Sequence, residues 1–283
     1  MSGKKPRAVK PDDLTVLKTV VAPVIVVGSV ISAAALIGDW VEANYPGHYL
    51  ERGGSEWHEG GLINKIGIFL IIYSIILITS RASTSGVYYV CEVLWACNSS
   101  MLLASVGMCT QRPLLVGAAT TMVGIDQLSW YIDCIAYLLT GKFPLGVAKY
   151  LVSPSLSRIH FWTSFHHLFF LPLCFFSLRK IGMPSASYPL CVFVTSLLVI
   201  AARIFTPFAV NEGKSIKVFN INLSYEFWDD VKIPLVHAMD HRPAYLYLPY
   251  LLGFCNIYLN GIPVALIYYG LNLLRDSFYA RDK

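Results

Sequence analysis

The sequence predicts an all-α, polytopic membrane protein that forms a single integral membrane domain over residues 1–283. Of its 283 residues 55% are hydrophobic and only 14% are charged, and its mean hydropathy is +0.57. A soluble domain carries roughly 25% charged residues, so this chain has too few to cover a water-exposed surface. The same shortage argues against disorder and against nucleic-acid binding as the main role.

Seven apolar runs are long enough to span a bilayer, because a transmembrane helix needs about 20 apolar residues. The runs are Leu14 to Gly38, Leu62 to Ser80, Val87 to Cys109, Pro113 to Leu139, Ile159 to Leu178, Tyr188 to Phe208 and Ala244 to Leu274. Each is expected to be helical, since lipid cannot satisfy backbone polar groups and the runs lack the alternation of barrel strands. The first run exceeds the core of a signal peptide, so we expect it to be retained as a span.

The charges that flank these runs predict an orientation. Four basic residues lie in the tail 1–13, whereas the first connection, Asp39 to Gly61, is acidic. The positive-inside rule then predicts a cytosolic N-terminus and, with seven spans, a C-terminus on the other side. Arg112 and the Arg179/Lys180 pair lie on the wrong side in this arrangement. The endoplasmic reticulum or another endomembrane is the expected location.

Two connections are longer than a helix bundle needs. Residues 141–157 mix apolar residues with lysines and prolines, which is typical of a short interfacial segment. Residues 209–243 form the most polar internal stretch, which predicts a polar loop, a lid or a re-entrant element.

Ionisable and polar groups inside spans are costly, and they usually face the bundle interior with a function. In the third run Cys97 is followed by Asn98. A thiol beside an amide predicts a nucleophile with a donor for the developing oxyanion. The alternative is that Cys97 is a small buried hydrophobe and Asn98 links two helices through a hydrogen bond.

The fourth run carries Asp126, Trp130, Asp133 and Tyr137 on one helical stripe. The two carboxylates lie about 10 Å apart along such a helix, so each is expected to orient a histidine or hold a water. The alternative is a buried polar network that fixes helix packing.

The fifth run contains three histidines in eight residues. His160 and His167 share a helix face, His166 is turned away by about 100°, and Pro172 is expected to kink the helix beyond them. A neutral imidazole held by a carboxylate acts as a general base or binds a metal. His167 is the first choice for the base because its face is polar.

A fourth polar cluster, VHAMDHRPAY, places His237 and His241 at i and i+4. This spacing forms a zinc half-site on a helix, although the glutamate of H-E-x-x-H is absent and Pro243 ends any helix at once. The alternative is an interfacial polar loop. The seven cysteines include no C-x-x-C zinc pattern and no disulfide framework.

The order of these motifs resembles the transmembrane protein 164 / YwaF-like group. The similar segments are WACNSS at 95–100, FHHLFFLPL at 165–173 and FNINLSY at 219–225. The resemblance implies a membrane acyltransferase for phospholipids, in which a cysteine carries the acyl chain as a thioester beside a histidine. It implies Cys97 as the nucleophile and His167 or His166 as the base. The group's pattern resembles Asn-Pro-Cys-His, whereas here Ala96 and Asn98 flank the thiol.

The leading hypothesis is therefore an acyltransferase that acts on membrane lipids without a cofactor. In this hypothesis His167 deprotonates Cys97, Asp126 or Asp133 fixes the imidazole tautomer, and Asn98 stabilises the oxyanion. A second hypothesis is a zinc-dependent lipid amidase, similar to the alkaline ceramidase and adiponectin-receptor superfamily, with His237, His241 and a fifth-run histidine as ligands. The third is a channel, transporter or lipid-binding protein without catalysis.

Overall fold

A computed structural model describes residues 13–45, 61–154, 156–211, 216–228 and 234–281, and it shows an all-α bundle. Its helices are α1 (Ala22–Asn44), α2 (Leu62–Ser85), α3 (Ala96–Thr110), α4 (Pro113–Thr140), α5 (Arg158–Thr163), α6 (His166–Leu178), α7 (Ser187–Phe205), α8 (Ala244–Phe254) and α9 (Ile262–Arg281). A helical turn, Asp13–Val16, and a π-helical turn, Leu17–Val21, lead into α1. The basic residues of the predicted tail, and Glu51, Glu56 and Glu59 of the acidic connection, lie outside the described residues.

Five helical stretches are long and apolar enough to cross a membrane, so the predicted count of seven is approximate. They are Leu17–Asn44, Leu62–Ser85, Arg158–Leu178, Ser187–Phe205 and Ala244–Ser277. A bent pair, Val87–Leu94 with Ala96–Thr110, makes a sixth. Helix α4 has the length of a span but is less apolar. Because every residue from Leu114 to Gly124 is buried, the other helices shield this half of α4 from the surroundings.

The sequence predicted that the third apolar run forms one helix, and this prediction is wrong. The 3₁₀ helix Val87–Leu94 meets α3 at Trp95, where the chain turns by 66°. Trp95 has an extended ψ of 134°, which no α-helix accommodates. The Asn222 side chain stabilises the turn: its amide donates to the Leu94 carbonyl and its Oδ1 accepts from the Ala96 N–H, at 2.7 and 2.8 Å.

The fifth apolar run is interrupted before the adjacent histidines, not at Pro172. Helix α5 ends at Thr163, and α6 begins at His166 and continues through Pro172. The Thr163 and Ser164 hydroxyls donate to carbonyls one turn back, at 2.7 Å each. Such bonds compete with the backbone ladder and favour a break in the helix.

The last apolar run is also broken. A π-helical segment, Cys255–Gly261, separates α8 from α9. Wide turns of this kind occur often at functional sites.

Residues 209–243 contain a small β-hairpin. Strand β1 (Ala209–Asn211) pairs antiparallel with β2 (Ile216–Val218), with Ala209 opposite Val218. Two 3₁₀ turns, Ile221–Leu223 and Val236–Met239, follow the hairpin. Asp229 and Asp230 of this segment lie outside the described residues.

The connections collect at two ends of the bundle. At one end Asn222 contacts the turn at Trp95, and Lys217 donates to the Ser85 carbonyl. The described parts of the connections 86–95, 141–157 and 206–243 lie at this end, which we call the cavity end after the cavity described below. At the opposite end Arg112 donates to both carboxylate oxygens of Asp39, at 2.6 and 2.9 Å. The hydrogen bond with Asp39 raises the pKa of Arg112.

Candidate functional site

Three side chains from two separate helices meet near the cavity end. The Sγ of Cys97 and one ring nitrogen each of His166 and His167 lie within 4.8 Å of one another. Cys97 lies in the first turn of α3, and the two histidines open α6. Both helices start within the bundle because the two apolar runs are broken there. The Cys/His/His cluster is thus a product of the two breaks.

The cluster borders a cavity of about 390 Å³. This is within the range of roughly 300–1,000 Å³ that is usual for small-molecule pockets. Its wall is mainly apolar and includes Met122, Leu198, Val199, Leu223 and Leu259, and polar side chains also line it. A neighbouring cavity of about 290 Å³ shares four wall residues with the first, namely Glu92, Trp95, Leu156 and His160.

His166 is held in one tautomer by the backbone. Its Nδ1 lies 2.8 Å from the Thr163 carbonyl oxygen. A carbonyl only accepts hydrogen bonds, so in neutral His166 the proton is on Nδ1 and the Nε2 lone pair is open. The residue is 1% exposed, and its Nε2 has no hydrogen-bond partner among the described residues. His166, whose ring meets the thiol, therefore carries a buried proton acceptor.

His167 has different neighbours. Its Nδ1 lies 3.0 Å from Gln127 Nε2, and its ring stacks on Trp130 with the centroids 5.6 Å apart. In this arrangement the Gln127 amide donates, so the proton of neutral His167 is on Nε2. His167 is thus a hydrogen-bond donor, whereas the sequence analysis preferred it as the base.

Cys97 lies where a helix favours negative charge. The start of a helix carries a partial positive charge and unpaired N–H groups, which stabilise a thiolate. The protonated thiol is 3.9 Å from Asn98 Oδ1. Asn222 fixes this turn of α3, so a loop residue far along the chain positions the sulfur.

Asn98, predicted as an oxyanion donor, has a structural contact as well. Its Nδ2 donates to the Glu92 carbonyl at 2.8 Å, and its side chain is buried. This bond closes the turn between the 3₁₀ helix and α3. Asn98 still borders the cavity, but its amide is engaged in holding the backbone.

The two aspartates of α4 have separate environments. Asp126 borders the cavity, and its carboxylate makes no hydrogen bond or ion pair with any residue that the structure describes. Asp133 is fully buried and accepts from the Leu145 and Ala148 N–H groups at 2.8 and 3.0 Å. Asp133 thus anchors the connection after α4 and is not at the cavity. Of the two, only Asp126 is near the Cys/His/His cluster.

A buried ion pair that the sequence analysis missed supports the histidine helix. Arg81 donates to Glu92 Oε2 and to Thr163 Oγ1, each at 2.8 Å, and to Ser164 Oγ at 3.4 Å. His160 Nε2 lies 3.9 Å from the other Glu92 oxygen. Arg81 therefore joins α2 to the break between α5 and α6. The signal was present, because Glu92 is the one acidic residue in the run VYYVCEVLWAC.

Tyr150 is a second residue that the sequence analysis did not select. It lies in the 3₁₀ helix Lys149–Val152 and borders the cavity beside Ser164 and Trp130. Tyr150 is 36% exposed, and partial desolvation raises its pKa, so its hydroxyl remains a proton donor at neutral pH. A single tyrosine in an amphipathic connection gives no sequence signal of this placement.

His237 and His241 do not form a half-site with the fifth-run histidines. His237 Nδ1 lies 2.6 Å from Asp240, and His241 Nε2 lies 2.5 Å from Glu226. His241 has a φ of +56°, so the two are not on one continuous helix. In the part of the chain that the structure describes, Cys97, His166 and His167 form the only cluster that could hold a metal ion.

Comparison of the chain with protein-family models, with curated proteins and with solved structures gave no match. The fold and site thus define a polytopic all-α membrane protein with a Cys/His/His cluster at an internal cavity. The resemblance to the transmembrane protein 164 / YwaF-like group stays a prediction from the motifs quoted above.

Proposed function

We propose that this protein is an intramembrane acyltransferase that moves a fatty acyl group between membrane lipids through a thioester on Cys97. The observation that carries the proposal is the Cys/His/His cluster itself: Cys97 Sγ meets the His166 and His167 nitrogens at the wall of a mainly apolar cavity. We place the activity in the endoplasmic reticulum or another endomembrane.

In the first step His166 acts as the base. Its Nε2 accepts the thiol proton, and the Cys97 thiolate attacks the carbonyl carbon of a lipid ester. The tetrahedral intermediate collapses, the C–O bond of the ester breaks, and the imidazolium returns the proton to the leaving lipid hydroxyl. The acyl chain is then a thioester on Cys97.

In the second step the hydroxyl of an acceptor lipid gives its proton to His166 Nε2 and attacks the thioester carbonyl. The C–S bond breaks, and the thiolate takes the proton back. The oxyanion in both steps needs donors. The His167 Nε2–H and the Tyr150 hydroxyl border the cavity and supply that chemistry, a role for which the sequence analysis had chosen Asn98.

The apolar wall suits the fatty chain. Met122, Leu198 and Leu259 offer a surface that costs nothing to desolvate, and burying each CH₂ group contributes about 0.8 kcal/mol. Arg81, Glu92 and Asp126 line the same cavity. Their polar groups suit the glycerol backbone or headgroup of a lipid.

The test is capture of the thioester. The full chain, purified in detergent, is incubated with a phospholipid that carries an alkyne-tagged acyl chain, and the peptide that contains Cys97 is analysed by mass spectrometry. We expect a label that hydroxylamine releases, and we expect its loss in Cys97→Ala. The matched control is Cys134→Ser, because Cys134 lies on α4 away from the cavity.

A second variant identifies the base. His166→Ala should lower the labelling rate by roughly 10²- to 10⁴-fold, the usual contribution of general base catalysis. Full labelling in Cys97→Ala, or an unchanged rate in His166→Ala in a folded protein, would refute the mechanism.

A further inference from the structure

We propose that Cys97, His166 and His167 also form a binding site for Zn²⁺, and that the bound metal holds the thiol out of acyl transfer. The metal site stands on its own geometry, whereas the inhibition rests on the proposed function.

The ligand types fit zinc. Zn²⁺ takes thiolate sulfur and neutral imidazole nitrogen in tetrahedral sites, and sites with three protein ligands leave the fourth position open. Zn–S and Zn–N distances of about 2.3 and 2.0 Å put ligand atoms roughly 3.3–3.6 Å apart. The cluster atoms lie within 4.8 Å, so shifts of about 1 Å in the side chains close the shell.

An unpartnered buried nitrogen points to a ligand. His166 Nε2 is enclosed and has no hydrogen-bond partner among the described residues. The Nδ1 of the same ring donates to the Thr163 carbonyl. This is the contact that metal-bound histidines usually make through their other nitrogen, since it fixes the ring and raises its basicity. His166 is thus oriented as a ligand before any metal arrives.

His167 has the matching support. Gln127 contacts its Nδ1, and Gln127 Oε1 has no partner among the described residues. Rotation of the amide group by 180° brings Oε1 to the ring, where it accepts a proton on Nδ1 and frees Nε2 for a metal. In the metal-bound state Gln127 Oε1 then accepts from His167 Nδ1, and His166 Nε2 binds the metal. Both atoms lack a partner among the described residues without the metal.

All three residues border the cavity, so a water or a substrate oxygen from the cavity would complete the shell. When Zn²⁺ binds, the Cys97 thiol loses its proton to solvent. The sulfur lone pair that would attack an ester is then donated to the metal. Zn²⁺ and the acyl group therefore compete for the same sulfur.

Cobalt is the direct probe, because Co²⁺ replaces Zn²⁺ and a thiolate–Co²⁺ bond gives a charge-transfer absorption. We expect the reduced full chain in detergent to bind a single equivalent of Co²⁺ with this band, and Zn²⁺ to displace it. The band should vanish in Cys97→Ser, and His166→Gln or His167→Gln should abolish tight binding. Gln127→Leu should weaken binding about 10- to 100-fold, the usual effect of losing a residue that orients a ligand.

Two controls make the result specific. Cys134→Ser should keep the band, and His237→Gln should keep the stoichiometry, because both residues lie outside the cluster. Thermal unfolding of each variant in detergent identifies loss of fold, and a misfolded variant is replaced by Cys97→Ala or His166→Asn. A wild-type chain that binds no Co²⁺, or a band that survives in folded Cys97→Ser, would overturn the site.

Acyl labelling with and without metal tests the inhibition. We expect saturating Zn²⁺ to reduce labelling of Cys97 at least tenfold, and a chelator to restore it. Undiminished labelling in Zn²⁺-saturated protein would overturn the inhibition. If the protein binds Co²⁺ but is never labelled, the metal site stands and acyl transfer is refuted. If the protein is labelled but binds no Co²⁺, acyl transfer stands and the metal site is refuted.

Discussion

Adjacent histidines take different roles here because each ring's Nδ1 meets a different partner. A backbone carbonyl faces His166, and a side-chain amide faces His167. The first contact leaves a lone pair on Nε2, and the second leaves a proton there. Sequence periodicity favoured His167, since it assumed an unbroken helix. The break before the pair brings both rings to the thiol.

The Arg81–Glu92 pair is the most consequential buried contact beside the cluster. Both residues are 8% exposed, so neither charge is well hydrated. Arg81→Met should destabilise the protein by about 3–5 kcal/mol, because it leaves Glu92 buried without its partner. The free energy of unfolding in mixed detergent–SDS micelles measures this loss.

The double variant Arg81→Met/Glu92→Gln is the control for that prediction. It removes both charges, so it should be less destabilised than Arg81→Met alone. Equal stability of the single and double variants would show that the buried carboxylate is not the source of the cost.

At the level of elements, the Asn222 side chain stabilises the bend at Trp95 together with the Asn98 side chain. Asn222 makes two backbone hydrogen bonds across the bend. Asn222→Ala leaves the Leu94 carbonyl and the Ala96 N–H unpaired, which should cost roughly 1–3 kcal/mol for each buried group. We expect lower thermal stability and slower acyl labelling of Cys97.

Asn44→Ala is the matched control. Asn44 is exposed, and among the described residues its side chain bonds only to the Trp40 carbonyl of its own helix. It should change stability by less than about 0.5 kcal/mol. A similar loss in both variants would indicate that the bend does not depend on Asn222.

Close packing against α2 fixes the position of α3, the helix that carries Cys97. A Cβ on Gly67 would meet Cys109 Sγ at 2.7 Å and Ser105 O at 3.0 Å. Small residues permit such approaches between membrane helices. Gly67→Ala should therefore cost about 1–3 kcal/mol, the usual cost of overpacking, in the same unfolding assay.

Gly28→Ala provides the comparison, since nothing lies within 4 Å of a Cβ there. It should be neutral or stabilising by about 0.5–1 kcal/mol, because alanine favours helix. Should Gly28→Ala destabilise as much as Gly67→Ala, the close approach would not explain the effect.

For the whole molecule, the charged residues at the two ends of the bundle affect its predicted orientation in the membrane. Arg112 lies on the side that the positive-inside rule assigns away from the cytosol, yet it is paired with Asp39. This local pairing compensates the charge of Arg112. In the predicted orientation the cavity end faces the cytosol.

Glycosylation mapping tests this arrangement in microsomes. An acceptor site inserted in the connection 179–186 should be glycosylated, and one inserted in 141–157 should not, because only the lumenal side carries the transferase. Insertions that preserve chain folding are confirmed by gel filtration. The reverse pattern would overturn the orientation but not the fold.

Composition and apolar run length predicted the fold class, because a bilayer allows few structures for a charge-poor chain. They also drew attention to Cys97, His166, His167 and Asp126, since polar groups are conspicuous in apolar runs. The helix breaks were not predictable in the same way: Trp95 and Ser164 are ordinary helix residues, and their conformations depend on tertiary partners. Sequence left two readings of Asp133 open, because its partners are backbone N–H groups, which leave no trace in sequence.

The dependence of the Trp95 bend on Asn222 has a consequence during biosynthesis. Residues 96 and 222 are separated by more than a hundred positions. The ribosome has therefore translated most of the chain before Asn222 can bond to the bend beside Cys97. A nascent chain that ends before residue 222 therefore lacks both of the hydrogen bonds that Asn222 makes across the bend beside Cys97.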